Sequence, residues 1–451
     1  MNLIQQIKEA GIVGCGGAGF PTHVKLNAQV EYFIVNGAEC EPLLRTDRWL
    51  MCNRARELVE AAWAVKEHLG AAHGVIGLKG SYRQEIAALE EAIAQTGAPI
   101  TLHKMESFYP AGDEQVLVRE VTGRVVPPTG IPLDVGCVVS NAATMVCVRD
   151  AMEGRPFTWK YLTVTGAVRE PTVLHVPLGT SFSDCIAQAG GTTENRYFVI
   201  SGGPMMGAPM TMEQAAQAVV TKTTSGILVL PEDSHLSISH QIPLAHMLNR
   251  ARSACIQCSY CTEMCPRHLM GHPLEPHRIM RKLAAAPDLH EILEDPDVRR
   301  AQLCCECGIC ELVACPMGLQ PRRVNATLKK LLGEQKIRYP KGEGQGEENP
   351  WREMRKIPTA KAAARAGVGD YYHIQITQMK EFAPEKVSLP LRQHIGAPAS
   401  PVVSPGDRVK AGQLIAGCPE GQLGAVLHAP FDGRVEQVEE RITIVKEDDV
   451  R

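Results

Sequence analysis

Eight cysteines in two matching runs constrain this chain more than any other feature. The first run reads Cys255-x2-Cys258-x2-Cys261-x3-Cys265-Pro266. After 38 residues the second reads Cys304-x2-Cys307-x2-Cys310-x4-Cys315-Pro316. Three thiols at two-residue gaps can curl round one corner of an iron–sulfur cube, and a Cys-Pro following each triplet is the ligand pattern of a two-cluster ferredoxin. In such modules the fourth cysteine of each run serves the other cluster. The expected [4Fe-4S] ligand sets are therefore Cys255, Cys258, Cys261 and Cys315 for one cluster, and Cys304, Cys307, Cys310 and Cys265 for the other. Paired Cys-x2-Cys also suits zinc, but zinc takes four ligands in two pairs. It gives no reason for a third cysteine at the same step and a Cys-Pro, twice. The second run carries an extra thiol, Cys305, which is an alternative to Cys304 at that position.

Composition narrows the setting. The 451 residues suggest about three domains. A net charge of −3 argues against a nucleic-acid or anionic-membrane partner. Aromatics at 5% disfavour a base-stacking surface. No apolar run reaches about 18 residues, so no membrane span is expected. The N-terminus, Met1 to Lys8, lacks a signal peptide's basic and apolar regions, which points to the cytoplasm. Sixteen cysteines there mean metal or catalysis rather than disulfides. Outside the clusters, Cys15, Cys40, Cys52, Cys137, Cys147, Cys185 and Cys418 are scattered and read as small buried residues.

The first third alternates strand and helix, which argues for a parallel sheet covered by helices. A helix over 2–10 precedes Gly14-Cys15-Gly16-Gly17-Ala18-Gly19-Phe20, with Lys25 shortly after. Four glycines in six residues let backbone N–H groups approach a phosphate closely. Strand Glu31–Val35 ends in Asn36-Gly37-Ala38-Glu39-Cys40-Glu41, at the strand end where α/β sheets bind ligands. One long helix is expected over Thr46–Leu69. A helix capped by Ser81, with Glu85 on its wet face, and strands near 74–78, 100–103 and 137–140 complete the sheet. Tyr109-Pro110-Ala111-Gly112-Asp113-Glu114 opens a helix at a place suited to a flavin or nicotinamide, and Asn141 can cap the helix that follows it.

These three motifs resemble the NADH-binding subunit of respiratory complex I, and more closely the C subunit of the Rnf electron-transfer complex. The resemblance implies FMN contacts at Gly14, Gly16, Lys25, Asn36, Glu39, Tyr109, Gly112, Asp113, Asn141 and Thr144. It implies NADH contacts at Gly17, Ala18, Phe20, Glu41 and Glu114. Where complex I carries an Arg, this chain has Cys15. Where complex I has two asparagines, this chain has Ser140-Asn141.

Five segments follow from the whole reading: an FMN/NADH-binding α/β domain over 1–155, a β-grasp soluble-ligand-binding (SLBB) module over 156–235, a helical two-cluster domain over 236–335, a charged linker over 336–385 and an all-β barrel-sandwich hybrid over 386–451. The β-grasp rests on the hairpin Leu162–Val168 and Thr172–Pro177 and on Ser201-Gly202-Gly203-Pro204-Met205-Met206-Gly207. The insert 271–303 reads as helical and polar. Pro405-Gly406-Asp407 and His428-Ala429-Pro430-Phe431-Asp432-Gly433 resemble a lipoyl-like domain, yet no lysine lies between Lys410 and Lys446, so no swinging-arm carrier is expected. In the Rnf C subunit the barrel precedes the flavin domain, whereas here it follows the clusters. That order resembles the cobalamin reductase family of propanediol-utilization microcompartments. It implies electron flow from NADH through FMN and two [4Fe-4S] clusters to cobalamin, with a cob(I)alamin adenosyltransferase and a microcompartment shell protein as partners. The other reading is an Rnf-like subunit that feeds a ferredoxin or a membrane complex. A corrinoid Asp-x-His-x2-Gly motif is missing, since Leu293 stands where Asp288-Leu289-His290 would need glycine; cobalamin is therefore expected base-on or loosely bound, with no histidine replacing its lower ligand.

Overall fold

The computed structural model describes residues 2–286 and 288–447. Met1 and 448–451, at the outer ends of the expected first and last domains, and Pro287, inside the expected insert, lie outside the described residues. A four-stranded parallel sheet organises the first domain. Its order is Ile100–Met105, His73–Lys79, Tyr32–Asn36, Cys137–Asn141. Phe33, Ile34, Val35, Ile76 and Leu78 are fully buried, as expected of strands covered by helices on both faces. All four strands point the same way. The glycine loop, the Asn36–Glu41 segment and the Asn141 helix cap therefore meet at one sheet edge.

The expected helix over Thr46–Leu69 is two helices, Thr46–Asn53 and Ala55–His68, broken at Arg54. The break turns the first helix toward the β-grasp, where Thr46 Oγ1 lies 2.8 Å from Thr163 Oγ1. Ser81 does not cap the next helix. Its hydroxyl pairs with Ser107 at 2.6 Å, and the helix begins at Arg83. Glu85 is not on a wet face either. The Thr46–Asn53 helix covers it, and Arg48 Nε donates to its carboxylate at 2.5 Å.

The β-grasp sheet has six strands, with Gly226–Pro231 running parallel to Trp159–Gly166 at its centre. The sixth strand is Met379–Glu381, which adds parallel to Thr172–Pro177 from beyond the clusters. The insert 271–303 is amphipathic rather than simply polar. Leu274, Ile279, Met280, Leu283, Leu293 and Val298 build the cluster domain's own core with Leu328 and Leu332.

The segment 336–385 departs most from expectation. It is an ordered strap and not a free linker. Ile357-Pro358 pairs antiparallel with Phe108-Tyr109, and Thr359–Arg365 is a helix. Its charges meet opposite charges elsewhere: Arg352 lies 2.5 Å from Glu120, and Glu348 takes a two-pronged bond from Arg119 at 2.8 Å. Sequence composition reads such charges as solvated because their partners lie more than two hundred residues away.

The barrel comprises two small sheets around Val387, Leu389, Ile415, Leu427, Ile442 and Ile444, and Leu178 of the β-grasp completes that core. One buried lysine ties three modules together. Lys222 of the β-grasp is 0% exposed, and its Nζ donates to Gly11 O and Val426 O, both at 2.7 Å. Among the described residues no carboxylate neutralises it there, and burial pulls its amine down to about 7. Lys222→Met would leave both carbonyls buried without a donor, a loss of about 1–3 kcal/mol. Thermal unfolding should show this loss. Limited proteolysis should release the barrel faster than from the parent.

Candidate functional site

Two cavities collect the eight cysteines as the spacing requires. One is lined by Cys255, Cys258, Cys261 and Cys315; the other by Cys265, Cys304, Cys305, Cys307 and Cys310. Each run thus sends its fourth thiol to the other's cavity. The two loops share one backbone pattern. Gln257 and Ser259, which flank Cys258, have φ of 56° and 59°; Glu306 and Gly308, which flank Cys307, have 59° and 81°. Left-handed backbone costs a non-glycine residue about 1 kcal/mol. Its repetition at Gln257, Ser259 and Glu306 marks a conformation imposed by what the loop encloses. In this repeat Cys304, not Cys305, is the counterpart of Cys255. Glu306 N also donates to Cys304 Sγ at 3.4 Å, as Leu319 N does to Cys315 Sγ. Cys305 instead packs beside Cys307 and the Arg267 guanidinium.

The flavin loop fits a phosphate-bearing group. Gly16, Gly17 and Ala18 are exposed, and among the described residues their amides donate to no protein atom. A Cβ on Gly16 would lie 2.8 Å from Asn141 Nδ2, and one on Gly112 would lie 2.9 Å from the Cβ of Cys40. Both glycines keep a cradle open that side chains would fill. Asn36 closes one wall, donating to Gly112 O at 2.9 Å and accepting from Ala38 N at 3.1 Å. Asn141 caps its helix through Ala143 N and Thr144 N and donates to Asp47 at 2.6 Å. Thr144 Oγ1 accepts from Cys15 N at 3.0 Å, which pins the glycine loop to that helix. Lys25 and Glu114 form a half-exposed ion pair at 2.7 Å, and Phe20 is 38% exposed at the mouth.

Three expected contacts face elsewhere. Tyr109 is 1% exposed and donates to Cys307 O at 2.7 Å, across the boundary with the second cluster. Asp113 caps its helix through Gln115 N and Val116 N, and both its oxygens accept from Arg267 at 2.7 and 2.9 Å. Glu41 lies under the β-grasp loop, where one oxygen accepts from Met205 N at 2.8 Å and the other has no partner. The side chains of Tyr109, Asp113 and Glu41 are thus joints between domains, although their backbone borders the cradle.

Sequence reasoning missed Asp47 as a site residue. It sits directly behind the cradle, and its amide donates to Glu39 Oε2 at 2.5 Å. Burial first, and then the neighbouring Asp47, push Glu39 up to about 8; burial pushes Asp47 up to about 6 against its bond from Asn141. Near neutral pH Glu39 keeps a proton, which leaves a carboxyl donor at the cradle. The only local signal was the run Arg45-Thr46-Asp47-Arg48 after the acidic segment.

Two measurements follow from this geometry. Gly16→Ala should weaken FMN binding about tenfold or more, equivalent to ~1.4 kcal/mol, as read by quenching of FMN fluorescence. Glu41 is pushed up to about 7, first by burial. A raised carboxyl contributes its full stability below its unfolded pKa, and that stability is lost as pH rises through the folded value. Apo protein should therefore lose stability between pH ~4.5 and about 7, by up to roughly 3 kcal/mol, and Glu41→Gln should flatten this part of the melting profile.

Comparison with known proteins follows the same division. Residues 7–150 match the Nuo51 FMN-binding domain, 161–209 the SLBB domain, 254–320 the 4Fe-4S dicluster domain and 372–450 the RnfC barrel sandwich hybrid domain. The chain is 36% identical over 269 residues to the C subunit of a proton-translocating ferredoxin:NAD(+) oxidoreductase complex from Clostridium ljungdahlii, a match that spans 58% of this chain and 55% of that one. It is 43% identical over 447 residues to cobalamin reductase PduS of Salmonella typhimurium, spanning 98% of this chain and 96% of that one. The PduS of Citrobacter freundii is 42% identical over the same shares. With flavin, β-grasp, dicluster and barrel modules all present and relatedness running end to end, the chain belongs to the PduS cobalamin reductase family.

Proposed function

We propose that this chain is an NADH-dependent cobalamin reductase in which electrons pass from NADH through FMN and two [4Fe-4S] clusters to cob(III)alamin and cob(II)alamin. The observation that carries the reading is end-to-end relatedness to cobalamin reductases, in a chain whose flavin cradle is bolted to a cluster loop. Bound FMN would supply the conversion of a hydride pair into single electrons, a chemistry that belongs to the cofactor. The chain's part is to hold, orient and separate. Gly14, Gly16, Asn36, Gly112, Asn141 and Thr144 would frame the flavin, with Gly17, Ala18, Phe20 and Glu114 at the nucleotide mouth. Glu39 and Asp47 would present a carboxyl and a carboxylate to it.

The order of the clusters is supported by burial. Cys265, Cys307 and Cys310 are buried, and Tyr109 binds the Cys307 carbonyl from the flavin side. Cys255, Cys258, Cys261 and Cys315 are only half-buried, and Ile256, Tyr260 and Met317 stand exposed beside them. Electrons would therefore enter at the Cys304–Cys310 cluster and leave from the Cys255–Cys261 cluster, with the corrinoid meeting the apolar rim. A cob(I)alamin adenosyltransferase would take the product, and a shell protein would hold the enzyme in or on a microcompartment; these partners rest on the family resemblance. No helix among the described residues is long and apolar enough to cross a membrane.

The second reading, an Rnf-like subunit delivering electrons to a ferredoxin or membrane complex, is favoured by the match over 58% of the chain to the C subunit of a ferredoxin:NAD(+) oxidoreductase complex. An anaerobic experiment separates the two. NADH added to iron-reconstituted, FMN-loaded protein should bleach flavin and clusters, and hydroxocobalamin should then turn over. Bleaching with fast ferredoxin reduction and no cobalamin turnover would select the second reading. In Cys258→Ala, NADH should still bleach the flavin and the Cys307 cluster, while cobalamin reduction falls to near background. Persistent turnover in this variant would take the Cys255–Cys261 cluster off the exit path, and a Cys307 cluster that no longer bleaches would reverse the cluster order.

A further inference from the structure

Cys15 and Cys147 stand apart from the other scattered cysteines because they touch, Sγ to Sγ at 3.8 Å. Cys15 is the second residue of the flavin loop and is 2% exposed. Its amide is the one held by Thr144 Oγ1. Cys147 lies three residues beyond Thr144 on the same helix and is half-buried. It lines a cavity of about 570 Å³ formed between the flavin domain, the β-grasp strands and the barrel, with Phe157, Trp159, Lys160, Tyr161 and Pro430 among its walls. None of the expected FMN or NADH contacts lines this cavity. A small molecule can therefore reach Cys147 without entering the flavin mouth.

The chemistry around the pair favours exchange. Lys160 is 3% exposed and its charge acts on both sulfurs. The Cys147 hydrogen bond, with Lys160 behind it, brings the Cys15 thiol down to about 6 against the cost of burial. Near neutral pH the pair therefore holds one proton and one negative charge; the charge is favoured on Cys15, because the same bond and then burial push the Cys147 thiol well up. The other scattered thiols differ. Burial pushes Cys40 up to about 12 and Cys52 and Cys137 up to about 11.

We propose that Cys15 and Cys147 are a reversible thiol–disulfide site, opened to low-molecular-weight disulfides by the three-module cavity, and that its oxidation loosens the flavin cradle. Passage of the proton from Cys147 to Cys15 across their contact leaves a thiolate on Cys147, on the cavity side, and it attacks a small disulfide RSSR. An S–S bond forms to one RS group and the other leaves as RS⁻. Cys15 then gives its proton to solvent or to the departing thiolate and attacks Cys147 Sγ. The second RS⁻ leaves, and a Cys15–Cys147 disulfide remains. The protein loses two electrons and RSSR gains them, giving two small thiols. A disulfide needs about 2.05 Å between sulfurs, well inside the present contact. Cys15 must move toward the helix and carry Gly14 and Gly16 with it, out of register with the cradle.

The test uses the full-length holoenzyme, anaerobically, with glutathione disulfide as the probe. Peptide mapping after alkylation should find a fragment pair joined through Cys15 and Cys147, cleaved again by dithiothreitol. FMN affinity should fall about tenfold on oxidation and recover on reduction. Cys147→Ser should keep FMN under oxidising conditions. Absence of the joined fragments, or a glutathione adduct that stops at Cys147, overturns the site. Joined fragments with unchanged FMN affinity overturn its link to the cradle. So does equal FMN loss from Cys147→Ser, which would place the loss at other thiols.

Discussion

The two-pronged bond from Arg267 to Asp113 is the constraint on which the electron path depends. Arg267 stands two residues after Cys265 of the second cysteine cavity, and Asp113 caps a helix at the flavin cradle. Their side chains are only 8% and 14% exposed. Removing one partner of so buried a pair leaves the other charge uncompensated, typically at a cost of about 3–5 kcal/mol. Tyr109, bound to Cys307 O, sets the same boundary from a second point. Two fixed points and a desolvated contact hold flavin loop and cluster loop at one distance. Electron tunnelling falls steeply with distance, so a joint that slid would change the rate even with every cofactor in place.

A second line of contacts runs through the β-grasp. Glu41 of the flavin domain accepts from Met205 N, and Met205 O accepts from Arg322 Nη1 at 2.7 Å. Arg322 in turn pairs with Glu311, beside Cys310, at 2.7 Å. A single residue of the Gly202–Gly207 loop thus bridges the domain that receives hydride and the domain that carries single electrons. This gives the β-grasp a mechanical role that requires no ligand of its own. The strap over 336–385 adds to it, contributing a strand beside Tyr109 and another at the β-grasp edge.

The readable parts of the sequence were those whose chemistry is local. Cysteines two residues apart, glycines packed into a loop and an asparagine ahead of a helix carry their meaning in their spacing. The exchange of Cys265 and Cys315 between the two cavities was legible for the same reason, because it is written in the Cys-Pro steps. The direction of a side chain was not legible. Tyr109, Asp113 and Glu41 sit in flavin-type motifs, yet they turn to Cys307, Arg267 and Met205, partners 154 to 198 residues away. Asp47 and Lys222 gave almost no local signal, since what matters about each is who surrounds it after folding. The strap was hidden by its composition: a run rich in Gly and Glu has the look of a solvated tether until Arg119 meets its Glu348.

The place where the barrel docks bears on how this architecture can be rearranged. Through Val426 and Lys222 the barrel lies against Gly11, and His394 packs on Gly19. The last module in the chain therefore rests on the first loop of the flavin domain. A barrel joined to either end of the flavin and cluster domains could complete this surface. The contact depends on adjacency in space and is indifferent to the direction of the peptide that supplies it. The strap then serves a barrel placed after the clusters, since the stretch that leads to it also holds cluster domain and flavin domain together.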